Sequence, residues 1–314
     1  MGLERLGVRG IIGRYYRTLQ ERTVAAWATL ISVLQPSDQE LETYEATGMV
    51  PPLSERQGGL KLGGVREFTW TIHNRKFQTG VTIPRDWLRR DKTGQIMRRI
   101  DELAIRGIQH WTKLISDLIA AGGATTIYDG AYFFAASGAP HSAGSSGSQI
   151  NDLTANEVAA LNVGTAAAPT AGEMASAILN TISYMMGYKD DQGEPVNADA
   201  TNWLVLCPKG AIYASALEAM QPLLLNQAGE VLRNQFRVQV AVDPRSAETV
   251  KFYLFRTGDE VAPVIRQEET AAELEVLAEG SDRWVEDDEA LFKLQASRNV
   301  GFGQWESAAR CTLS

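Results

Sequence analysis

The chain has 314 residues, 44% of them hydrophobic, and a formal net charge of −8, which excludes a chain too polar to build a core and a uniformly basic nucleic-acid binder. Its two cysteines, Cys207 and Cys311, form no Cys-x-x-Cys pair, so neither a disulfide framework nor a cysteine zinc site is expected.

In chain order, Ile11 to Leu34 reads as a helix, with Ile12, Tyr15, Tyr16, Leu19, Val24, Trp27, Leu30 and Ile31 near one stripe. Its most apolar part, Val24 to Leu34, is too short to span a bilayer, and no apolar signal core precedes it. From Gln35 to Gly64 prolines and glycines accumulate without periodicity, which predicts an extended arm ordered by a partner surface.

Phe68, Trp70 and Ile72 alternate along one stretch, and Phe77, Thr79, Val81 and Ile83 along the next, around the basic turn His73 to Lys76. Period two with aromatic and β-branched residues predicts a β-hairpin, closed by Pro84 and the segment Asp86 to Gly94. A long amphipathic helix follows from near Gln95, its stripe carried by Ile96, Ile100, Leu103, Trp111, Leu114 and Leu118 and stopped by Gly122-Gly123.

Tyr128-Asp129-Gly130 is a turn, followed by apolar Phe133-Phe134 and by an Ala/Ser/Gly-rich loop over 135–149. Ala171 to Gly187 predicts a helix, Trp203 to Cys207 a buried strand, and Pro208-Lys209 the start of a helix to about Met220. Strands are expected at Phe236 to Val242, Val250 to Phe255, Val261 to Ile265, Leu274 to Leu277, Leu291 to Val300 and Trp305 to Leu313.

Catalytic constellations are scarce: the histidines His73, His110 and His141 have no metal-ligand spacing, and no phosphate loop, dinucleotide fingerprint or nucleophile elbow is present. No catalytic, cofactor-binding or metal residue is therefore assigned. Asp190-Asp191-Gln192-Gly193 lacks the spacing of a calcium loop and reads as a turn. A small soluble enzyme using Cys207, as a thiolate pair with His141, or using a carboxylate pair is the alternative from a different class, against which Cys207 sits in an apolar strand.

The charge is unevenly placed. Residues 1–120 hold 18 Lys and Arg against 13 Asp and Glu, a balance of +5, and the rest hold 12 against 25, a balance of −13. Two readings stand open: copies that attract one another head to tail, or two differently solvated faces of one molecule. The cluster Arg85, Arg89, Arg90, Lys92, Arg98 and Arg99 is a candidate phosphate contact that the acidic total opposes.

Asn74-Arg75-Lys76-Phe77 followed by Val81-x-Ile83-x-Arg85-Asp86, a long helix, and Tyr128-Asp129-Gly130-x-x-Phe133-Phe134 resembles the major head subunits of Mu-like tailed phages. The ending Arg298-Asn299-x-Gly301-Phe302-Gly303-x-Trp305 is similar to that family's C-terminal signature. Trp87-Leu88-Arg89-Arg90 departs from the family's acidic run, and Pro140-His141 reverses its His-Pro.

The resemblance implies an α+β protein with the tailed-phage major capsid fold named after phage Hong Kong ninety-seven. It would comprise an N-terminal helix and arm (1–59), an extended β-hairpin loop (60–95), a peripheral domain with a spine helix at 96–121 (96–153 and 243–314), and an axial domain (154–242). The function implied is a major capsid protein that self-assembles into hexamers and pentamers of an icosahedral head around double-stranded DNA, held without sequence specificity, in a virion assembled in the bacterial cytoplasm. An encapsulin-like compartment shell is the alternative on the same fold. Implied partners are further copies of the chain, a portal, a maturation protease and, for want of a coiled-coil-like N-terminal segment, a separate scaffolding protein. The expected subunit interface is Phe68, Trp70, Arg75, Lys76, Phe77, Ile83, Arg85, Arg89 and Arg90 against Glu286, Asp287 and Asp288 of a neighbour.

Overall fold

A computed structural model describes residues 2–47, 67–90, 94–142, 146–225, 236–258 and 262–314. Helix α1 (Gly2–Glu21) and the short α2 (Ala26–Leu30) replace the single helix expected over 11–34, and the chain then enters strand β1 (Ser32–Pro36). The apolar run is thus shared between a helical turn and a strand: Trp27 and Ile31 face the core, and β1 pairs in parallel with a distant strand.

Two further strands follow, β2 (Leu41–Thr47) and β3 (Glu67–His73), then β4 (Arg75–Pro84). The expected hairpin of β3 with β4 does not form: β3 pairs antiparallel with β2, from Glu67 against Thr47 to His73 against Leu41. Only Asn74 separates β3 from β4, too little chain for the two-residue turn a tight hairpin needs. Asn74 instead makes a corner, its amide nitrogen donating to Ser37 Oγ at 2.8 Å and to the Gln39 carbonyl at 2.7 Å. The arm expected over 35–64 therefore contributes a strand to a two-stranded ribbon; the residues joining β2 to β3 lie outside the described ones.

The short α3 (Arg85–Arg90) leads to the spine helix α4 (Gln95–Ala121), whose 27 residues extend about 40 Å. Strands β5 (His141–Ser142), β6 (Ser148–Gln149) and β7 (Asp152–Leu153) precede α5 (Ala171–Met186), which begins with a reciprocal capping box between Thr170 and Glu173. Then come β8 (Asn202–Pro208), α6 (Ala211–Leu225), β9 (Arg237–Asp243) and β10 (Lys251–Arg256). The chain ends with β11 (Val264–Leu277), α7 (Asp282–Glu286), β12 (Glu289–Phe302) and β13 (Ala308–Thr312). The two strands expected at 261–265 and 274–277 are one strand, bulged between Glu268 and Glu273.

Among the described residues these strands form two principal layers. One sheet has the order β1-β11-β12-β4, and the other β7-β13-β10-β8-β9. The first half of α4 lays Ile96, Ile100, Leu103 and Ala104 against the first sheet, together with Ile11 and Tyr15 of α1, Leu274, Phe292 and Leu294. Its second half puts Trp111, Ile115 and Ile119 into the other core, with α5 and α6. Each such side chain contributes about 1.5–3 kcal/mol on burial, so the spine couples the two layers rather than merely lying between them. Ser116 adds a polar tie, its hydroxyl donating to the buried Asp243 at the end of β9. The five-stranded sheet crosses the domain boundary expected at residues 242 and 243, because β10 pairs with β8.

Candidate functional site

The two ends of β12 have different characters, and the residues singled out in the sequence divide between them. At the end holding Arg298 to Trp305, side chains interlock. Arg298 is buried on the inner face, donates from Nη2 to the Gly107 carbonyl at 2.5 Å and from Nε to His110 Nδ1 at 3.2 Å, and lies 4.7 Å above the Trp111 ring. Gly107 lets the spine lie close to the sheet, since a Cβ there would stand 3.2 Å from Leu294. Burial and the Arg298 charge push His110 down to about 4, so its ring is neutral and accepts.

Asn299 donates to the His73 carbonyl at 2.7 Å, and a Cβ on Gly301 would run into Ile72, so β3 is pressed onto β12. Phe302 stacks on Phe133 at 3.9 Å, and Trp305 stacks on His141 at 4.0 Å. His141 Nδ1 meets Asp129 at 2.7 Å and its Nε2 lies 3.3 Å from Asn151 Oδ1. Asn151, fully buried, donates to the carbonyls of Phe133 at 2.8 Å and Ala308 at 3.1 Å and accepts from the Ala135 amide at 2.8 Å. Burial alone would raise the Asp129 carboxyl; the His141 bond and the Ala131 amide outweigh it and hold the group below its usual range.

A His–Asp pair invites a catalytic reading, and the geometry opposes it: His141 is inaccessible and sandwiched by Trp305. Burial pushes the Cys207 thiol up to about 12, so it is not the thiolate that the enzymatic alternative requires. No group of three or more metal-ligating side chains occurs among the described residues, and no described helix is long and apolar enough to cross a membrane.

The expected interface residues fare differently. Trp70 is used within the subunit, stacked on Tyr44 at 5.9 Å and set against Tyr128 at 5.6 Å. Phe77 lies edge-on to His110 at 4.3 Å, and Ile83 is buried under α4. The reason is topological: once β4 pairs with β12, the Phe77-Val81-Ile83 face has the spine beneath it. Deleting residues 66–84 would therefore remove a strand of the sheet, not a free loop. Arg75 and Lys76 are exposed where β4 begins. The Phe68, Arg89 and Arg90 side chains lie outside the described ones.

Arg85 does meet acid, within the same subunit: Nη1 is 3.6 Å from Asp288 Oδ1, and the guanidinium lies 5.0 Å from the Trp284 ring. Glu286, Asp287 and Asp288 are exposed beside it. At this other end of β12, where Glu289 pairs with Pro84 and Leu291 with Leu277, three apolar side chains face solvent: Trp87 at 66%, Val285 at 74% and Leu277 at 50%. Trp87 and Val285 stand in charged segments, and none of the three was among the expected interface residues.

A spine helix across a β-sheet, a two-stranded ribbon and a second mixed layer define a subunit of the tailed-phage capsid fold. The solved relatives include the procapsid of bacteriophage JBD30 (TM-score 0.55, 17% identity, 98% of this chain and 75% of that one). They also include the mature capsid of phage PhiM1 (TM-score 0.57, 12% identity, 93% and 88%) and the capsid of cyanophage P-SCSP1u (0.56, 12%, 93% and 89%).

Residues 8–167, about half of the sequence, match the family described as Mu-like prophage major head subunit gpT, and the chain belongs to that family. The Mu-like prophage FluMu major head subunit of Haemophilus influenzae is 31% identical over 106 residues, a match spanning 34% of each chain.

Proposed function

We propose that the chain is the major capsid protein of a tailed phage or prophage head, assembling with copies of itself into the hexamers and pentamers of an icosahedral shell that encloses double-stranded DNA. The observation that carries the reading beyond the family is the contrast between the ends of β12. A locked hub fixes the ribbon's exit angle from its own subunit, while the opposite tip holds apolar surface that no described residue covers.

The tip seats Trp87, Val285 and Leu277 on a neighbouring subunit. Burying each of those side chains contributes about 1.5–3 kcal/mol, weak enough singly to permit correction and strong when repeated around a shell. Glu286, Asp287 and Asp288 make the rim of that contact and favour a basic counterpart such as Arg75 and Lys76. Under this reading the peripheral domain is the four-stranded layer with α1 and α4, and the axial domain draws on the five-stranded layer. A scaffolding protein, a protease and a portal belong to the same proposal.

Light scattering and electron microscopy of the purified protein test it. Capsomers or closed particles are expected; a species that stays at the 34.3 kDa of one chain across concentrations sinks it.

A further inference from the structure

Two basic grooves flank α4, and they differ in what answers their charge. In the one shared with α1, Arg14 pairs with Asp101 at 2.5 Å and Arg17 with Glu21 at 2.7 Å. The other, of about 560 Å³, runs between α4 and the first residues of the edge strand β4, with Arg245 from the segment after β9 on its wall. No carboxylate lines it. Lys113 holds Asp117 at 2.8 Å, but neither Arg106 nor Arg245 forms an ion pair among the described residues. Arg298 adds a buried charge whose ion pair with Glu268 is 3.8 Å long.

The opposite charge is gathered at the tip. Glu286, Asp287 and Asp288 are exposed between α7 and β12, and Glu286 and Asp287 form no ion pair among the described residues. Their presentation is fixed by the backbone. The Arg85 amide donates to the Asp288 carbonyl at 2.7 Å and the Asp287 amide to the Arg283 carbonyl at 3.0 Å, while Asp288 holds a φ of 53°, a region that a non-glycine residue rarely enters. The tip cannot reach the groove of its own subunit. Gln78, on the groove wall, and Pro84, paired with Glu289 at the tip, lie six residues apart on β4, about 20 Å.

We propose that this groove is a socket for the tip of a second copy of the chain, with Glu286 and Asp287 of one copy facing Arg106 and Arg245 of the next. The inference rests on the shell reading above and adds to it the residues that receive the tip. Charge left unanswered on both sides within one subunit is answered when two meet, which selects the surfaces that join and their register. Arg75 and Lys76, exposed just before the groove on β4, extend the basic surface. Because socket and tip are different surfaces of one chain, the contact is head to tail, and a run of such contacts makes a ring where the rotation closes. Exposed ion pairs are weak singly and are screened beyond about 10 Å at 0.1 M salt, so each joint stays reversible until many have formed.

Disulfide trapping tests the joint. Gln78→Cys with Asp287→Cys puts one thiol on each side, and the separation of about 20 Å along one subunit far exceeds the ~7 Å between Cα atoms that a disulfide can span. Any bridge therefore joins two copies, and the native Cys207 and Cys311 are buried away from it. Oxidised capsomers or shells of this variant should run on a denaturing, non-reducing gel as dimers and higher multimers that collapse to one chain on reduction. Capsomers or closed shells that yield only single chains overturn the socket.

Charge reversal gives an independent readout. Arg106→Glu with Arg245→Glu should lower the shell yield several-fold, Glu286→Lys with Asp287→Lys should do the same, and the four together should recover part of it. A parental midpoint in denaturant unfolding shows that each variant keeps its fold; where one does not, Arg→Gln in the groove and Glu286→Gln with Asp287→Asn at the tip give the same order in milder form. A groove variant that builds shells at the parental yield overturns the contact, even if those shells package less DNA, and so does a fourfold variant that recovers nothing. A parental chain that forms neither capsomers nor shells overturns the shell reading instead, before the joint is scored.

Discussion

Trp70 and Trp87 stand on either side of one strand and are put to opposite uses. Trp70, in an alternating strand, is stacked between Tyr44 and Tyr128 at the hub; Trp87, in the short charged helix α3, is 66% exposed at the tip. The alternating strand places Trp70 against partners inside the fold, whereas the short charged helix leaves Trp87 in solvent. The same β12 joins both ends, so whatever fixes the hub also fixes where the tip points.

If the hub is the rigid end, damage there should cost the most stability. Asn151→Ala leaves buried carbonyls and an amide without partners, at about 1–3 kcal/mol each, so a loss of about 3–5 kcal/mol is expected in denaturant unfolding.

Next comes Glu306, a hub carboxyl whose Oε2 has no hydrogen-bond partner among the described residues. Burial raises it from 4.5 to about 7, with Asp129, Asp190 and Asp191 adding to the rise. The sign follows from linkage. Between the ordinary and the raised value the folded state holds a proton that the unfolded state has released, so stability falls as pH rises from about 4.5 to about 7 and stays lower above it. Glu306→Gln should remove that slope and stabilise the protein by about 2–3 kcal/mol at pH 8, measured as chemical unfolding across pH. An unchanged slope would show that the carboxyl is ionised throughout.

Smaller still is the contact that presses the ribbon down. Gly301→Val should cost about 1–3 kcal/mol through overpacking against Ile72, and Ile72→Ala in the same chain should recover part of it. Additive losses in that double-mutant cycle would break the proposed clamp between β3 and β12.

How much of this was legible in the sequence depends on how local the deciding forces were. The spine was read almost to the residue because its stripe serves one helix, and α5, β8 and β10 were read for the same reason. The hairpin failed because strand pairing is a long-range choice: β3 and β4 each alternate correctly, and nothing between residues 67 and 84 says that their partners are β2 and β12. Strand β11 was split because Arg266 to Thr270 reads polar, yet Gln267 is fully buried, donating to the Ile72 carbonyl at 3.2 Å and accepting from Tyr44 at 2.9 Å. The Arg298-to-Trp305 signature was recognisable from its residues, whereas its role as the lock between spine, ribbon and second layer needed the contacts.

The smallest change in stability should bring the largest change in assembly. Trp87→Glu with Val285→Glu alters two exposed side chains, so unfolding should shift by no more than about 0.5 kcal/mol. Electron microscopy of that double variant beside the parental protein, at matched concentration, is the most direct measurement. Folded capsomers or single chains and no closed shells are the predicted result; shells of parental diameter and yield would contradict the account of the tip as the face between subunits.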